Sequence, residues 1–447
     1  MKRTATEPPG ALSYGQVLAD RRLAALLLGD MFSQIANGMI IVALPMEALR
    51  IHGTFPASLA VSLVATAPFV LATVLSLAMG LGRRRPPPRV LLLTDCVLRS
   101  LVSGTLGVLA LTDALSLPLL IVGLLMGSSF RLVGSSSRRL LATGMVGAEG
   151  RLAVNGLLGS VSSGAQYIAG PVIGGLLVVT KGPGLALLFD GAAALLLLVV
   201  VATVVPRPPS AGRPAPHSEK NGDDHGAAGP VSGWRVLRAN SQAARLFVVV
   251  CCFNFFYMPV EIALPLLVRG PLDADGAGLG LLWGMFGAGA FVGALGINQL
   301  RRLPVQPTLV TAIALWALCP IGLATAGDFW PAAVVFTLGG LVWAPFTPLV
   351  YTFLQSTLNE MEQQPVVTLW AAGTSLAAPA GLSLGGPLVQ LLGVRPSLAV
   401  SGLLTALLVP VAGWGLLRTG RAAQDKDPVT GRAGIPSPEE ARDEPGR

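Results

Sequence analysis

About twelve apolar stretches of bilayer-spanning length follow one another along this chain, and that succession decides what it can fold into. A run of roughly 20 apolar residues crosses the hydrocarbon core as an α-helix. Windows of that length fall near 23–48, 57–81, 90–111, 114–133, 152–179, 183–205, 244–268, 277–299, 306–326, 331–353, 366–392 and 396–417. Hydrophobic residues make up 52% of the chain and charged ones 12%, about half the charge that a water-soluble domain carries. The solvent for most of the chain is lipid, and the predicted fold is an all-α polytopic membrane protein of about 12 transmembrane helices.

The seventh stretch rewrites the first. Gln34, Asn37 and Ile41 lead into Ala43-Leu44-Pro45 and then Arg50, while Asn254, Tyr257 and Glu261 lead into Ala263-Leu264-Pro265 and then Arg269. The shift is constant across the polar positions and the Ala-Leu-Pro run. A second echo follows: Arg83-Arg84-Arg85-Pro86 after the second stretch answers Arg301-Arg302-Leu303-Pro304 after the eighth. Two pseudo-symmetric six-helix halves, inserted the same way up, are the mark of a parallel-repeat transporter.

Basic residues set the expected orientation. Even-to-odd loops carry Arg83, Arg84, Arg85 and Arg89, then Arg138, Arg139 and Arg151, then the segment from Arg207 to Arg245, then Arg301 and Arg302. The opposite loops carry single charges, Arg50, Lys181, Arg269 and Arg395, or none. By the positive-inside rule both termini are cytoplasmic. The net charge of +8 then reflects topology and contact with anionic lipid, not nucleic acid. The predicted organisation is a cytoplasmic N-terminus (1–22), an N-terminal half (23–205), a Pro- and Gly-rich flexible linker (206–243), a C-terminal half (244–417) and a disordered tail (418–447). The first span reads as a signal anchor rather than a cleavable leader.

Enzymatic chemistry is not expected. His52, His217 and His225 lie in a loop and the linker, and Cys96, Cys251, Cys252 and Cys319 have no metal-type spacing, so neither a triad nor a metal centre is indicated. No cofactor is implied. Gly287-Ala288-Gly289 with Gly293 and Gly296 sits in an apolar helix without a preceding strand, which reads as close helix packing and not as a nucleotide loop.

Polar groups inside the spans therefore carry the functional reading, since an ionised group near the midplane costs roughly 2.5–3.5 kcal/mol unless paired or hydrated. Asp30, Gln34 and Asn37 share one face of the first helix, and Asn254, Tyr257 and Glu261 share the matching face of the seventh. Pseudo-symmetry aims both faces at one central cavity. Glu261 and Asp30 are the candidates for proton coupling, with pairing to a neighbouring Arg as the alternative for Glu261 and a helix-packing hydrogen bond from the protonated acid as the alternative for Asp30. Phe253, Phe256, Trp283 and Trp343 supply aromatic surface, either to the cavity or to helix packing. Asp95 and Arg99 lie near the cytoplasmic end of the third span, where they either bridge within one helix or serve a gate. Asp190 falls nearer the outer side of the sixth span. Arg131 lies either just inside the fourth span, where it could meet a substrate or an acid, or in the following loop.

Gly170-Pro171-Val172-Ile173-Gly174-Gly175 resembles the core of the antiporter signature of the major facilitator superfamily. With Arg151-Leu152-Ala153-Val154-Asn155 ahead of it, with Ser33 to Gly38 and Ala43-Leu44-Pro45, and with Leu354-Gln355 and Gly385-Gly386, the chain is similar to the branch containing macrolide and siderophore exporters. The resemblance implies an MFS-like fold that exports a small amphipathic compound in exchange for protons. An importer or uncoupled facilitator of the same fold is the alternative, and a non-transporting receptor the distant one. The shared polar faces and aromatic residues place the substrate cavity at Gln34, Asn37, Asn254, Tyr257 and Trp343, and the resemblance implies tight helix packing at Gly170, Pro171, Gly174 and Gly175. It implies a cytoplasmic gate at Arg83, Arg84 and Arg85. The aspartate that usually accompanies these arginines is missing, because no Asp or Glu occurs between Glu47 and Asp95. The gate is then expected to draw on Asp95 and Arg99.

Overall fold

A computed structural model describes residues 14–81, 86–147, 150–205, 233–297 and 303–413. Twelve helices among them are long and apolar enough to cross a membrane. They are α1 (Arg21–Ile51), α2 (Ala57–Met79), α3 (Pro88–Leu111), α4 (Leu117–Gly144), α5 (Ala153–Lys181), α6 (Pro183–Val204), α7 (Ser241–Arg269), α8 (Gly276–Leu295), α9 (Val305–Thr325), α10 (Phe329–Thr357), α11 (Met361–Leu392) and α12 (Val394–Gly413). Arg83, Arg84 and Arg85, most of the linker and the tail lie outside the described residues.

The repeat seen in the sequence reappears in how the helices begin and turn. The Asp20 carboxylate accepts the backbone N–H groups of Arg22 and Leu23 to start α1, and the Asn240 side chain accepts those of Gln242 and Ala243 to start α7. Both caps satisfy donors that an N-terminus leaves open. The connection from α5 to α6 is Gly182 alone, at φ +83°, and that from α11 to α12 is Gly393, at φ +88°. A left-handed backbone there requires glycine. Packing obeys the same exchange: α1 lies against α5 and α6 and α3 against α6, as α7 lies against α11 and α12 and α9 against α12.

The halves meet along α5 against α8 and α2 against α11. The first seam is built from glycines. A Cβ on Gly175 would come within 2.6 Å of the Gly276 carbonyl oxygen, and one on Gly174 within 2.6 Å of Met39 Cα on α1. The two neighbouring residues thus serve different partners. The second seam is polar: Ser62 Oγ donates to the Leu382 carbonyl at 2.7 Å and Ser58 Oγ to Gln390 Oε1 at 3.0 Å. Along α5 and α8 the close approaches run from Gly175 against Gly276, on the side away from the chain termini, to the Tyr167 carbonyl against Gly287 near mid-helix. On the terminal side the N-terminal half carries an open cavity of about 480 Å³ lined by Asp30, Gln34, Ser135 and Arg138.

The two halves differ in what fills them. The C-terminal core is aromatic, with Phe253, Tyr257, Trp283, Phe286, Trp316, Phe336 and Phe346 in one buried cluster. The N-terminal half is aliphatic around a buried ionic network.

Candidate transport site

The network centres on Arg99 of α3. Its guanidinium is ion-paired to Asp190 of α6, with Nε 3.0 Å from Oδ2, and it also donates to Ser33 Oγ at 3.0 Å and Asn37 Oδ1 at 2.8 Å on α1. Ser103 Oγ donates to Asp190 Oδ2 at 2.8 Å, and Asn37 Nδ2 to Gln34 Oε1 at 2.8 Å. Three helices are thereby tied by one cation whose donors are matched by acceptors, the condition under which a buried ion pair is tolerated.

This corrects the sequence reading of Arg99 in two respects. It pairs with Asp190 across helices and not with Asp95 along its own, and it lies well inside α3 rather than at a gate. Asp95 is also inside the half: it packs against Gly134 of α4, and its Oδ1 is buried without a hydrogen bond.

Asp30 shares the open cavity with Gln34, yet it is not a lone carboxylate. Arg138 Nη1 lies 2.6 Å from its Oδ1, close enough for ionic pairing though not aligned as a hydrogen bond. Arg138 reads as a loop residue from hydropathy, but α4 runs on to Gly144 after a break at Ser128–Phe130. This second segment is amphipathic, and Arg131, Gly134 and Arg138 recur on one face of it. That spacing, the counterpart of Asp30, Gln34 and Asn37 on α1, is the signal that could have placed both arginines in the site. Arg131 lines a deeper cavity of about 250 Å³ together with Gln34, Asn37, Asp95 and Gln166.

In the C-terminal half Tyr257 Oη donates to Glu261 Oε1 at 2.8 Å, one turn apart on α7. Glu261 forms no ion pair among the described residues. No other Asp, Glu, Lys or Arg occurs away from the ends of α7–α12. Tyr257 is buried, its ring edge-on to Trp316. Trp343 of α10 meets Tyr167 of α5 across the seam, ring centroids 6.2 Å apart. Asn254 Nδ2 donates to the Val250 carbonyl of its own helix at 2.9 Å, and the residue is half-buried. Phe253 stacks on Phe346, and Trp283 packs against Phe286 and Phe336, all within the core. No cluster of three or more metal-ligating side chains occurs among the described residues.

Two seams joining repeated six-helix halves, with charged and aromatic groups held inside the bundle, are the build of a secondary transporter. The chain belongs to the Major Facilitator Superfamily, whose sequence profile matches residues 26–361. It is 27% identical over 399 residues to the multidrug efflux pump Tap of Mycolicibacterium fortuitum, covering 87% of this chain and 94% of that one. To the multidrug efflux pump Tap of Mycobacterium tuberculosis (strain ATCC 25618 / H37Rv) it is 25% identical over 401 residues, covering 88% and 91%. Among solved structures it superposes on a mutant of the nucleoside transporter NupG with a TM-score of 0.69 at 10% identity, covering 88% and 99%, and on a bacterial homologue of the iron transporter ferroportin with 0.68 at 14% identity, covering 88% and 98%. Those likenesses establish the fold.

The seam gives a direct test. Leu at Gly175 would drive a side chain into α8, and Leu at Gly174 into α1, without making either helix less apolar. Both variants are expected to insert at normal yield and to lose transport, because helices that approach at glycine cannot close over a branched side chain. Full transport by Gly175→Leu would show that the seam need not close this tightly.

Proposed function

We propose that this chain exports small amphipathic organic compounds in exchange for protons by alternating access. The observation that carries the reading is Glu261, a carboxyl with only Tyr257 as partner, alone among acidic and basic side chains in the interior of the C-terminal spans. Carrying a fixed charge there is costly, whereas a carboxyl that takes up and releases a proton as the cavity changes sides has a use for such a place. The relatives named as multidrug efflux pumps, matched over most of both chains, support export over import; the fold alone is indifferent to direction.

In this reading both termini, the 206–243 linker and the 418–447 tail are cytoplasmic, and the protein resides in a bacterial cell membrane. With the α5–α8 contacts running from mid-helix to the side away from the termini and a cavity open beside Asp30 and Gln34, this reading makes the arrangement inward-open, and substrate enters beside Gln34 and Asn37. Rocking of the halves about the α5–α8 and α2–α11 seams would open the opposite side.

Reconstituted protein in proteoliposomes is expected to move ethidium at least tenfold faster when a pH gradient drives protons the opposite way than when that gradient is collapsed. Equal rates would overturn proton exchange. Orientation is checked separately: cysteine at Gly182 or Asp273, in a protein otherwise free of cysteine, should react with an impermeant thiol reagent applied outside cells, and cysteine at Gly222 should not. The reverse pattern would invert the topology.

A further inference from the structure

Three acids and three arginines meet inside the N-terminal half, and two pairs account for four of them: Arg138 with Asp30 and Arg99 with Asp190. Asp95 and Arg131 remain. Asp95 packs against Gly134, one oxygen sealed from solvent, and lines the 250 Å³ cavity with its other side. Arg131 is half-buried, lines the 250 Å³ cavity, and its side chain makes no ion pair or hydrogen bond among the described residues. Its guanidinium lies 5.9 Å from the centre of the Phe69 ring, which offsets part of its charge. Asp95 and Asp190 are within electrostatic reach of it, but so is Arg99, of the same sign. The cavity is thus lined by three arginines, Arg99, Arg131 and Arg138, against the one acid Asp95, and of the three only Arg131 has no ion pair among the described residues, leaving a fork of donors shaped to hold a carboxylate.

Across the seam the accessible charge has the other sign. Tyr167 of α5 lies within electrostatic reach of both Arg131 and Glu261, and its ring meets that of Trp343. An unpaired cation, two aromatic rings and an unpaired carboxyl thus lie in sequence from one half to the other. Gln34, Asn37 and Gln166 stand around the cationic end.

We infer that the transported compounds are zwitterionic aromatic amphiphiles, whose acid group is held by Arg131 and whose basic nitrogen faces Glu261, with the ring system against Tyr167 and Trp343. This rests on the export reading given above and narrows its substrate class. Each end of such a molecule supplies the counter-charge that the half it faces lacks, so entry relieves two solitary charges at once. A molecule with only the basic nitrogen would relieve one.

The test compares norfloxacin, a zwitterion with an aromatic core, with its methyl ester, which keeps the amine and loses the acid, and with ethidium, a permanent cation. Transport is measured over a concentration range in proteoliposomes of the full-length protein. The wild type is expected to show a KM for norfloxacin at least tenfold below that for the ester, and Arg131→Gln to erase at least tenfold of that preference. Arg131→Lys, which keeps the charge without the fork, should erase about threefold; it serves if the Gln variant does not elute as a monodisperse protein. Ethidium moved by the wild type with no preference for norfloxacin over its ester overturns the inference and leaves export standing. A preference unchanged in either Arg131 variant overturns it as well. If none of the three compounds is moved, the export reading falls, and this inference with it.

Discussion

Glu261→Gln is expected to abolish the response of efflux to a pH gradient. The wild-type stimulation, at least tenfold, should fall to none, while exchange of probe between two equal pools continues at reduced affinity. Gln keeps the size of the acid and can still accept from Tyr257 Oη, now 2.8 Å from the carboxylate; what it lacks is a charge that changes during the cycle. No neighbouring acid stands ready to substitute, since the interior of the other C-terminal spans holds none. Asp30→Asn should behave differently. Its carboxylate is already matched by Arg138, so the substitution should lower folded yield and leave the gradient response in place. A full gradient response in Glu261→Gln would exclude it as the coupling group and move attention to Asp95.

Arg99→Ala should be the most destabilising single substitution in the N-terminal half. It strands Asp190 at 4% exposure with Ser103 as its one remaining hydrogen-bond partner among the described residues and leaves Ser33 and Asn37 without that donor. Breaking a buried pair by removing one partner costs about 3–5 kcal/mol, whereas replacing both by apolar residues is often neutral. The midpoint of thermal unfolding in detergent should therefore drop sharply in Arg99→Ala and recover in the double variant Arg99→Met with Asp190→Leu. A single variant as stable as the wild type would show that the pair is not desolvated in the folded protein.

The spans and the repeat were legible because both are written in nearest-neighbour terms: apolar length, a constant shift and glycine next to proline. Helix limits agree with the apolar windows except at α4, where hydropathy ends the span near 133 and the helix continues to Gly144. The cause is physical. Beyond Arg131 the helix buries a charged face against its own half instead of presenting an apolar one to lipid, and a hydropathy window cannot distinguish that from a loop.

The candidate residues were legible one by one, but their pairing was not. Glu261, Tyr257, Gln34 and Asn37 stand out by being polar within apolar runs. That Arg99 meets Asp190, 91 positions away, depends on α3 packing against α6, which no local spacing encodes. The Asn254 bond to its own helix was likewise out of view, since an amide on a helix can donate to the carbonyl one turn back, and this one does.

Between Val161 and Gly170 the helix α5 is wound as a π-helix, Ser162–Ala169. Such a stretch holds surplus residues relative to an α-helix of the same span, and each α-helical residue turns the chain by about 100°. Removing one residue there would let the stretch rewind as ordinary helix with the flanking segments held in their setting, including Gly174 toward α1 and Gly175 toward α8. One residue removed from the regular helix between Gly170 and Gly174 would instead rotate those glycines by about 100° off their partners. In engineering this protein, 162–169 is therefore the place in α5 where a residue can be lost with the seam kept. Tyr167, inside the stretch and opposite Trp343, is the side chain whose direction such a rewinding would alter first.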